Sequence, residues 1–231
     1  MNNFKEIKNI FLDAGGVILD ETEFERNMAR AITAAIQKHI PDYSASQYLA
    51  DAEEAVYRFV PNIYDYILFK YIKNIDEFNV TKRNIKNEEA ENLNSGLKLM
   101  DGIKDFLIKY SKQYKIGILG QYGQALKLFL QNENLLQYFK FTETQENFQI
   151  TKPDPRYFEA VLNKCGCLPA QSVMIGDRID KDIIPAKTIG MRTIRHRTGM
   201  HKNQEPRTPQ EIPDFTCDRL GEISADDWSL F

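Results

Sequence analysis

A chain of 231 residues with 42% apolar and 27% charged side chains has the volume for one large domain or two modest ones around a real core. Its 30 basic and 33 acidic residues are interspersed and leave a formal charge of −3, which argues against a nucleic-acid footprint or a polybasic membrane patch, so any recognition of phosphate must be local. No basic-then-apolar leader precedes Phe4, and no apolar run nears the roughly 20 residues that span a bilayer, so the expectation is a soluble, cytoplasmic protein with neither nucleic-acid nor membrane partners.

The first predicted element is a short buried strand, Asn9-Ile10-Phe11-Leu12, which delivers Asp13 onto Ala14-Gly15-Gly16. Phe24, Met28, Ala31, Ile32, Ala35, Ile36 and Ile40 then recur at three- and four-residue steps and predict an amphipathic helix over residues 21–40, ended by Pro41-Asp42. Ser44 or Ser46 caps a second helix carrying Leu49, Ala52, Val56 and Phe59, and Pro61-Asn62 stops it. A third helix follows over about residues 63–72. Residues 74–95, rich in Asn, Lys and Glu, read as a solvated helix or connector.

From Leu97 strands and helices alternate. A helix with Ile103, Phe106, Leu107 and Tyr110 precedes a strand over residues 114–119 that closes on Gly120-Gln121. A helix over residues 125–130, a strand near 139–142, a helix after Pro155, a strand over 172–175 closing on Gly176-Asp177, a helix over 183–189 and a strand over 191–194 come next. A final strand near Phe215-Thr216-Cys217 and a closing helix near Leu220 complete the chain, with Trp228 and Phe231 at the edge of the core. This alternation predicts an α/β domain, a parallel sheet covered on both faces, made of residues 1–16 and 96–231, with residues 17–95 as a helical insertion.

Three segments carry chemistry. Asp13 ends a strand, and in open α/β sheets ligands bind beyond that edge, although Asp-x-Gly-Gly is also good chemistry for opening a turn. Gly176-Asp177-Arg178-Ile179-Asp180-Lys181-Asp182 ends another strand; clustered carboxylates repel unless a cation joins them, and a hard, oxygen-seeking ion such as Mg²⁺ suits them. The plainer alternative is a charged loop in which Asp180 or Asp182 caps the next helix. Thr151-Lys152-Pro153-Asp154-Pro155 holds a lysine in a stiff turn, a better counter-charge for a phosphate or an aspartate than a mobile one. Gly120-Gln121-Tyr122-Gly123 can turn N–H donors toward an anion at a helix start. Cys165, Cys167 and Cys217 are too few, with no further Cys/His cluster, for a structural zinc site, and read as reduced thiols without a role. The segment Arg195–Arg207, with His196 and His201, reads as a polar surface loop at the rim of the site.

In this order the segments resemble the haloacid dehalogenase superfamily of aspartate-nucleophile hydrolases, in the branch with a helical cap inserted after the first strand. The resemblance runs over nearly the whole chain: the Asp13 strand, the insertion, the strand ending at Gly120, the Lys152-Pro153-Asp154-Pro155 turn followed by Phe158, and Gly176-Asp177 through Asp182 with Ala186, Gly190 and Met191. It implies a Rossmann-like core that binds Mg²⁺ through Asp13, the Gly15 carbonyl and Asp177, with Asp182 ligating or orienting metal-bound water. It further implies that Asp13 attacks phosphorus to give an aspartyl-phosphate, that Lys152 balances the charge, and that Gly120, Gln121 and Lys152 hold the substrate phosphate. The implied substrate is a small phosphorylated metabolite, chosen by a cap that closes over the site.

Two departures from the family pattern stand out. Family phosphatases carry a second aspartate two positions after the nucleophile as general acid and base; here that residue is Gly15, and Asp20, Glu21 or a cap residue would have to replace it. The Thr or Ser that normally ends the second motif's strand is Gly120. They favour slow phosphatase turnover, or alternatively a weak or inactive member that binds a phosphorylated ligand or a protein partner. The family's phosphonate hydrolases need a cap lysine that nothing marks out in Lys70 or Lys73, and its 2-haloacid dehalogenases usually have an aromatic residue at the Gly15 position. In the insertion Tyr57, Phe59, Tyr64, Tyr66, Phe69 and Tyr71 read as packing first and pocket second, and Glu23 and Arg26 as solvated helix charges.

Overall fold

Runs of β-branched and large apolar residues become the middle of one sheet because both of its faces are covered, so every side chain along them must be apolar. The computed structural model of the protein describes residues 6–93, 97–120, 122–142 and 148–224. Strand β1 (Asn9–Leu12) lies at the centre, with Ile10, Phe11 and Leu12 fully buried. On one side it pairs with β2 (Lys115–Ile118), which pairs with β3 (Phe139–Phe141). On the other it pairs with β4 (Ser172–Gly176), followed by β5 (Arg192–His196) and β6 (Phe215–Cys217). All pairings are parallel and the order is β3-β2-β1-β4-β5-β6. The chain therefore leaves β1 toward one side of the sheet and returns to its other side with β4, and the crevice for a ligand opens at such a reversal, beyond the carboxyl ends of the strands.

The register puts Leu12 opposite both Ile118 and Ile175, and the Asp13 amide donates to the Ile175 carbonyl at 2.9 Å. Asp13, Gly120 and Asp177, which follow β1, β2 and β4, are thus delivered to one edge. One face of the sheet packs Phe11, Leu119 and Met174 against Tyr157, Phe158, Val161 and Leu162 of helix α7 (Pro155–Cys165).

Helices α1 (Thr22–Gln37), α2 (Ala45–Tyr57), α3 (Ile63–Tyr71) and α4 (Ile75–Leu93) form a separate cluster around Ile32, Ile36, Tyr43, Ala55 and Ile67. Helix α1 stops three residues short of the predicted end. Ile40 precedes Pro41, a position disfavoured for helix, and is 37% exposed, so it lies off the apolar stripe. Ser44, rather than Ser46, caps α2: its hydroxyl accepts from the Gln47 amide while the Gln47 side chain accepts from the Ser44 amide. The polar stretch after Asn74 is a helix, with Phe78 and Ile85 as its buried contacts. None of the six insertion aromatics is fully buried: Tyr64, Tyr66 and Tyr71 pack at the margin of an aliphatic core and Tyr57 is 69% exposed. Glu23 and Arg26 are exposed, as expected of helix charges.

The chain divides into two compact units, crossing between Asp20 and Glu21 and returning between Lys98 and Leu99, with Gly199–Gln204 joining the helices. The first crossing comes four residues later than the expected boundary. Ile18 and Leu19 are fully buried, the Ile18 carbonyl accepts from Met100, and Leu19 bridges both Gly15 and Leu99, so this turn is built into the α/β unit. The α/β unit also holds helices α5 (Ile103–Tyr110), α6 (Gln124–Asn132) and α8 (Ile184–Thr188). Near Leu220 there is a single 3₁₀ turn, Leu220–Glu222, in place of a helix; Trp228 and Phe231 lie outside the described residues.

Candidate active site

The Asp13 carboxylate is held from below by Lys152. The lysine ammonium donates to Asp13 Oδ1 at 2.8 Å and to Asp182 Oδ1 at 2.6 Å, with a side chain that is only 1% exposed. Its turn precedes α7, whose first residue is Pro155 and whose N-cap Asp154 accepts from the Arg156 amide. The Asp154 amide in turn donates to the Thr151 carbonyl across Lys152. A stiff turn against a helix start thus fixes a lysine on two carboxylates, 139 and 30 residues away in sequence.

Asp182 reaches the cluster through a π-helical turn, Ile179–Ile183, and is fully buried, its Oδ2 accepting from the Arg178 amide at 3.0 Å. It caps no helix. Its side chain passes over the end of β4 at Gly176, where any Cβ would overlap it. Gly16, at φ +70°, sits in the left-handed region, and a Cβ there would come within 2.9 Å of Asp177 Cγ, so both conformation and crowding demand glycine. One carboxylate oxygen from each of Asp13, Asp177 and Asp182 lies within 4.8 Å of the other two.

Burial pushes the Lys152 ammonium down, but attraction by Asp13 and Asp182 outweighs it and holds the lysine above its ordinary value. Burial pushes the Asp182 carboxyl up to about 6; Lys152 opposes the rise and repulsion from Asp13 adds to it. The Lys152 ammonium bonds two of the three carboxylates. That donor set, all carboxylate oxygen, suits a hard divalent cation. The turn after Asp13 offers a further oxygen: the Ala14 carbonyl accepts from Ile18 and Leu19 and the Gly16 carbonyl from His196, whereas no hydrogen bond reaches the Gly15 carbonyl among the described residues. Asp13, Asp177 and Asp182 therefore fit Mg²⁺ by chemistry and proximity, and the Gly15 carbonyl fits it by chemistry.

Gly120 abuts the same group, and its carbonyl accepts from Tyr157 at 3.2 Å. A Cβ at Gly120 would stand 2.8 Å from Ala14 Cβ and 3.1 Å from Asp13 Oδ1, so a hydroxyl-bearing residue does not fit without movement of the backbone. Gln121 lies outside the described residues.

The expectation for Arg195 and His196 is corrected. Both belong to β5 and are 3% and 2% exposed. The sequence reading ends the strand at Ile194 because charge interrupts its apolar run, but pairing with β6 continues through His196, opposite Cys217, and buries both faces. Burial pushes the Arg195 guanidinium down, with Glu205 and Asp177 pulling against it, so a cation missing from the sequence reading stands within the field of Asp177.

The signature of the haloacid dehalogenase-like hydrolases matches residues 13–196. The chain belongs to this family. Relatives with partial sequence similarity include the glyceraldehyde 3-phosphate phosphatase of Methanopyrus kandleri, 37% identical over 86 residues that make up 37% of each chain. The glycerol-3-phosphate phosphatase of Gallus gallus is 30% identical over 88 residues, 34% of this chain and 28% of that one. The match thus spans about a third of the length of these curated relatives. Among solved structures, a predicted phosphoglycolate phosphatase from Haemophilus somnus superposes with a TM-score of 0.69 at 21% identity, over 94% of this chain and 96% of that one. The magnesium-bound putative hydrolase YfnB of Bacillus subtilis gives 0.62 at 20% identity over 94% and 97%. At these identities the likeness concerns the fold, and it extends along nearly the whole of this haloacid dehalogenase-like chain.

Proposed function

We propose that the protein is a Mg²⁺-dependent phosphatase of a small phosphorylated metabolite, working through a phosphorylated Asp13. The observation that carries this reading is the single buried ammonium of Lys152 bonded to both Asp13 and Asp182 at the carboxyl edge of the sheet, with Asp177 in the same cluster. Relatives named for glyceraldehyde 3-phosphate and glycerol 3-phosphate support the substrate class.

When bound by Asp13, the Gly15 carbonyl, Asp177 and Asp182, Mg²⁺ would supply charge neutralisation for the incoming phosphate and for the oxygens of the transition state. Lys152 engages Asp13 Oδ1 and leaves Oδ2 as the nucleophile. Oδ2 forms a bond to phosphorus as the bond to the leaving oxygen breaks, and that oxygen departs with its electron pair. Water then attacks phosphorus, the Asp13–phosphorus bond breaks, and inorganic phosphate leaves. Lys152 balances negative charge through both steps, and Gly120, beside Asp13, would offer its backbone N–H to a phosphoryl oxygen.

With Gly15 at the position of the general acid, no carboxyl two residues from Asp13 protonates the leaving group. Such help is worth about 10² to 10⁴ in rate, so esters with good leaving groups should turn over far faster than alkyl phosphates. The same residue, with the crowded Gly120, is the specific feature favouring the second reading: a member that binds a phosphorylated ligand or partner with little turnover.

One experiment separates the two. The chain is incubated with Mg²⁺ and p-nitrophenyl phosphate, whose leaving group needs no proton. Turnover that disappears in Asp13→Asn and on chelation of Mg²⁺ is expected; no turnover, with Mg²⁺ binding retained, would transfer the assignment to the binding reading.

A further inference from the structure

The turn that carries the Gly15 carbonyl consists of two glycines in succession, and two glycines have little of their own to fix a peptide plane. Its conformation is imposed from outside. The Gly16 amide donates to the Leu19 carbonyl at 2.9 Å, which turns the Gly15 carbonyl of the same trans peptide the opposite way. The Gly16 carbonyl is held at 2.7 Å by His196 Nδ1, from the far end of β5. His196 is 2% exposed and its backbone is paired with Cys217 of β6, so this partner is a rigid one. Thr198 Cγ2 and Asp177 close on the position where a Gly16 Cβ would stand. A carbonyl only accepts, so Nδ1 must carry the hydrogen, and the tautomer of His196 is thereby fixed.

We propose that His196 is a positioning residue for the metal centre, clamping the Gly15-Gly16 turn so that the Gly15 carbonyl stays free and fixed for the ion while Asp177 stays seated against Gly16. The clamp replaces stiffness that a side chain at position 15 would have provided. This inference rests on the reading of the cluster as a Mg²⁺ site.

The test measures Mg²⁺ affinity by titration calorimetry on the full chain, with melting of the metal-free protein as a control for folding. His196→Phe keeps the ring and removes the donor; His196→Asn keeps an N–H close to the position of Nδ1. Loss of an outer hydrogen bond of this kind typically weakens metal binding about 10- to 100-fold, and a loss in that range is expected for His196→Phe, with most of it restored in His196→Asn. The loss should shrink in a Gly15→Ala background, a position whose φ is not positive, since alanine narrows the freedom that the clamp restrains. A merely structural histidine would show neither the rescue nor the coupling. Equal Mg²⁺ affinities in the wild type and His196→Phe overturn the proposal and leave the metal site standing, whereas absence of Mg²⁺ binding by the wild type overturns the metal reading itself. Should His196→Phe fail to fold, the long-range ¹H–¹⁵N spectrum of the wild-type imidazole decides: hydrogen on Nδ1 at neutral pH supports the clamp, and hydrogen on Nε2 alone overturns it.

Discussion

Lys152 shares one ammonium between two carboxylates, and Asp182, the more deeply buried of them, bears the consequence. Its carboxyl is pushed up by burial to about 6 in the folded chain, against about 3.9 when unfolded. A carboxyl raised on folding binds more protons in the native state, so it opposes stability above its folded value, and the penalty fades as pH falls from about 6 toward about 4. The metal-free wild type should therefore gain melting temperature from about pH 7 to about pH 5 relative to Asp182→Asn, in which this response is missing. Melting curves of the two proteins across that interval check it, and parallel curves would count against the assignment of Asp182. Asp13, Asp177 and Lys152 could be picked out in the sequence because each follows a strand end or stands in a proline-stiffened turn, and Asp182 because it lies in the acidic segment that Asp177 opens. Arg195 and His196 were missed because a charged residue within a strand looks like the end of the strand until its partners are seen.

At the scale of elements, the helical unit contains its own buried charge. Asp51 on α2 is 5% exposed and is satisfied by the Tyr43 hydroxyl at 2.8 Å and by Lys70 of α3 at 2.7 Å, the same ammonium reaching Glu54 at 2.7 Å. Lys70 thus pins α3 to α2. Breaking a fully buried pair costs about 3–5 kcal/mol; Lys70 is about a third exposed and Tyr43 remains bonded to Asp51, so Lys70→Met should cost roughly 1–3 kcal/mol. Urea unfolding of the full chain measures it, and an unchanged midpoint would show that water replaces the ammonium without loss. The predicted helices were legible because apolar residues at three- and four-residue spacing leave few other conformations able to bury them. Their ends were less so: the end of α1 and the choice of Ser44 over Ser46 depend on which residues reach the core and which amide is left to be capped.

At the scale of the molecule, the proposed Mg²⁺ site would link metal binding to stability. An ion that binds the folded chain alone stabilises it by about 2.7 kcal/mol at a hundred times its dissociation constant, worth roughly 5–10 °C for a chain of this size. Mg²⁺ should raise the melting temperature of the wild type on that scale and leave Asp177→Asn unmoved; differential scanning calorimetry decides, and an equal rise in both would remove Asp177 from the site. Among the described residues no helix is long and apolar enough to cross a membrane. The sequence by itself determined the alternation of strands and helices, the helical insertion and the candidate residues for the chemistry, because periodicity and turn chemistry are local properties of the chain. Only the tertiary structure decided which of those residues meet. Residues 13, 152, 177 and 182 are brought together by strand order and register, Gly120, Gly16 and Gly176 are required by side chains that approach them from elsewhere, and His196 finds its partner 180 residues away. Contacts of that separation are set by how the whole sheet packs, and no local pattern encodes them.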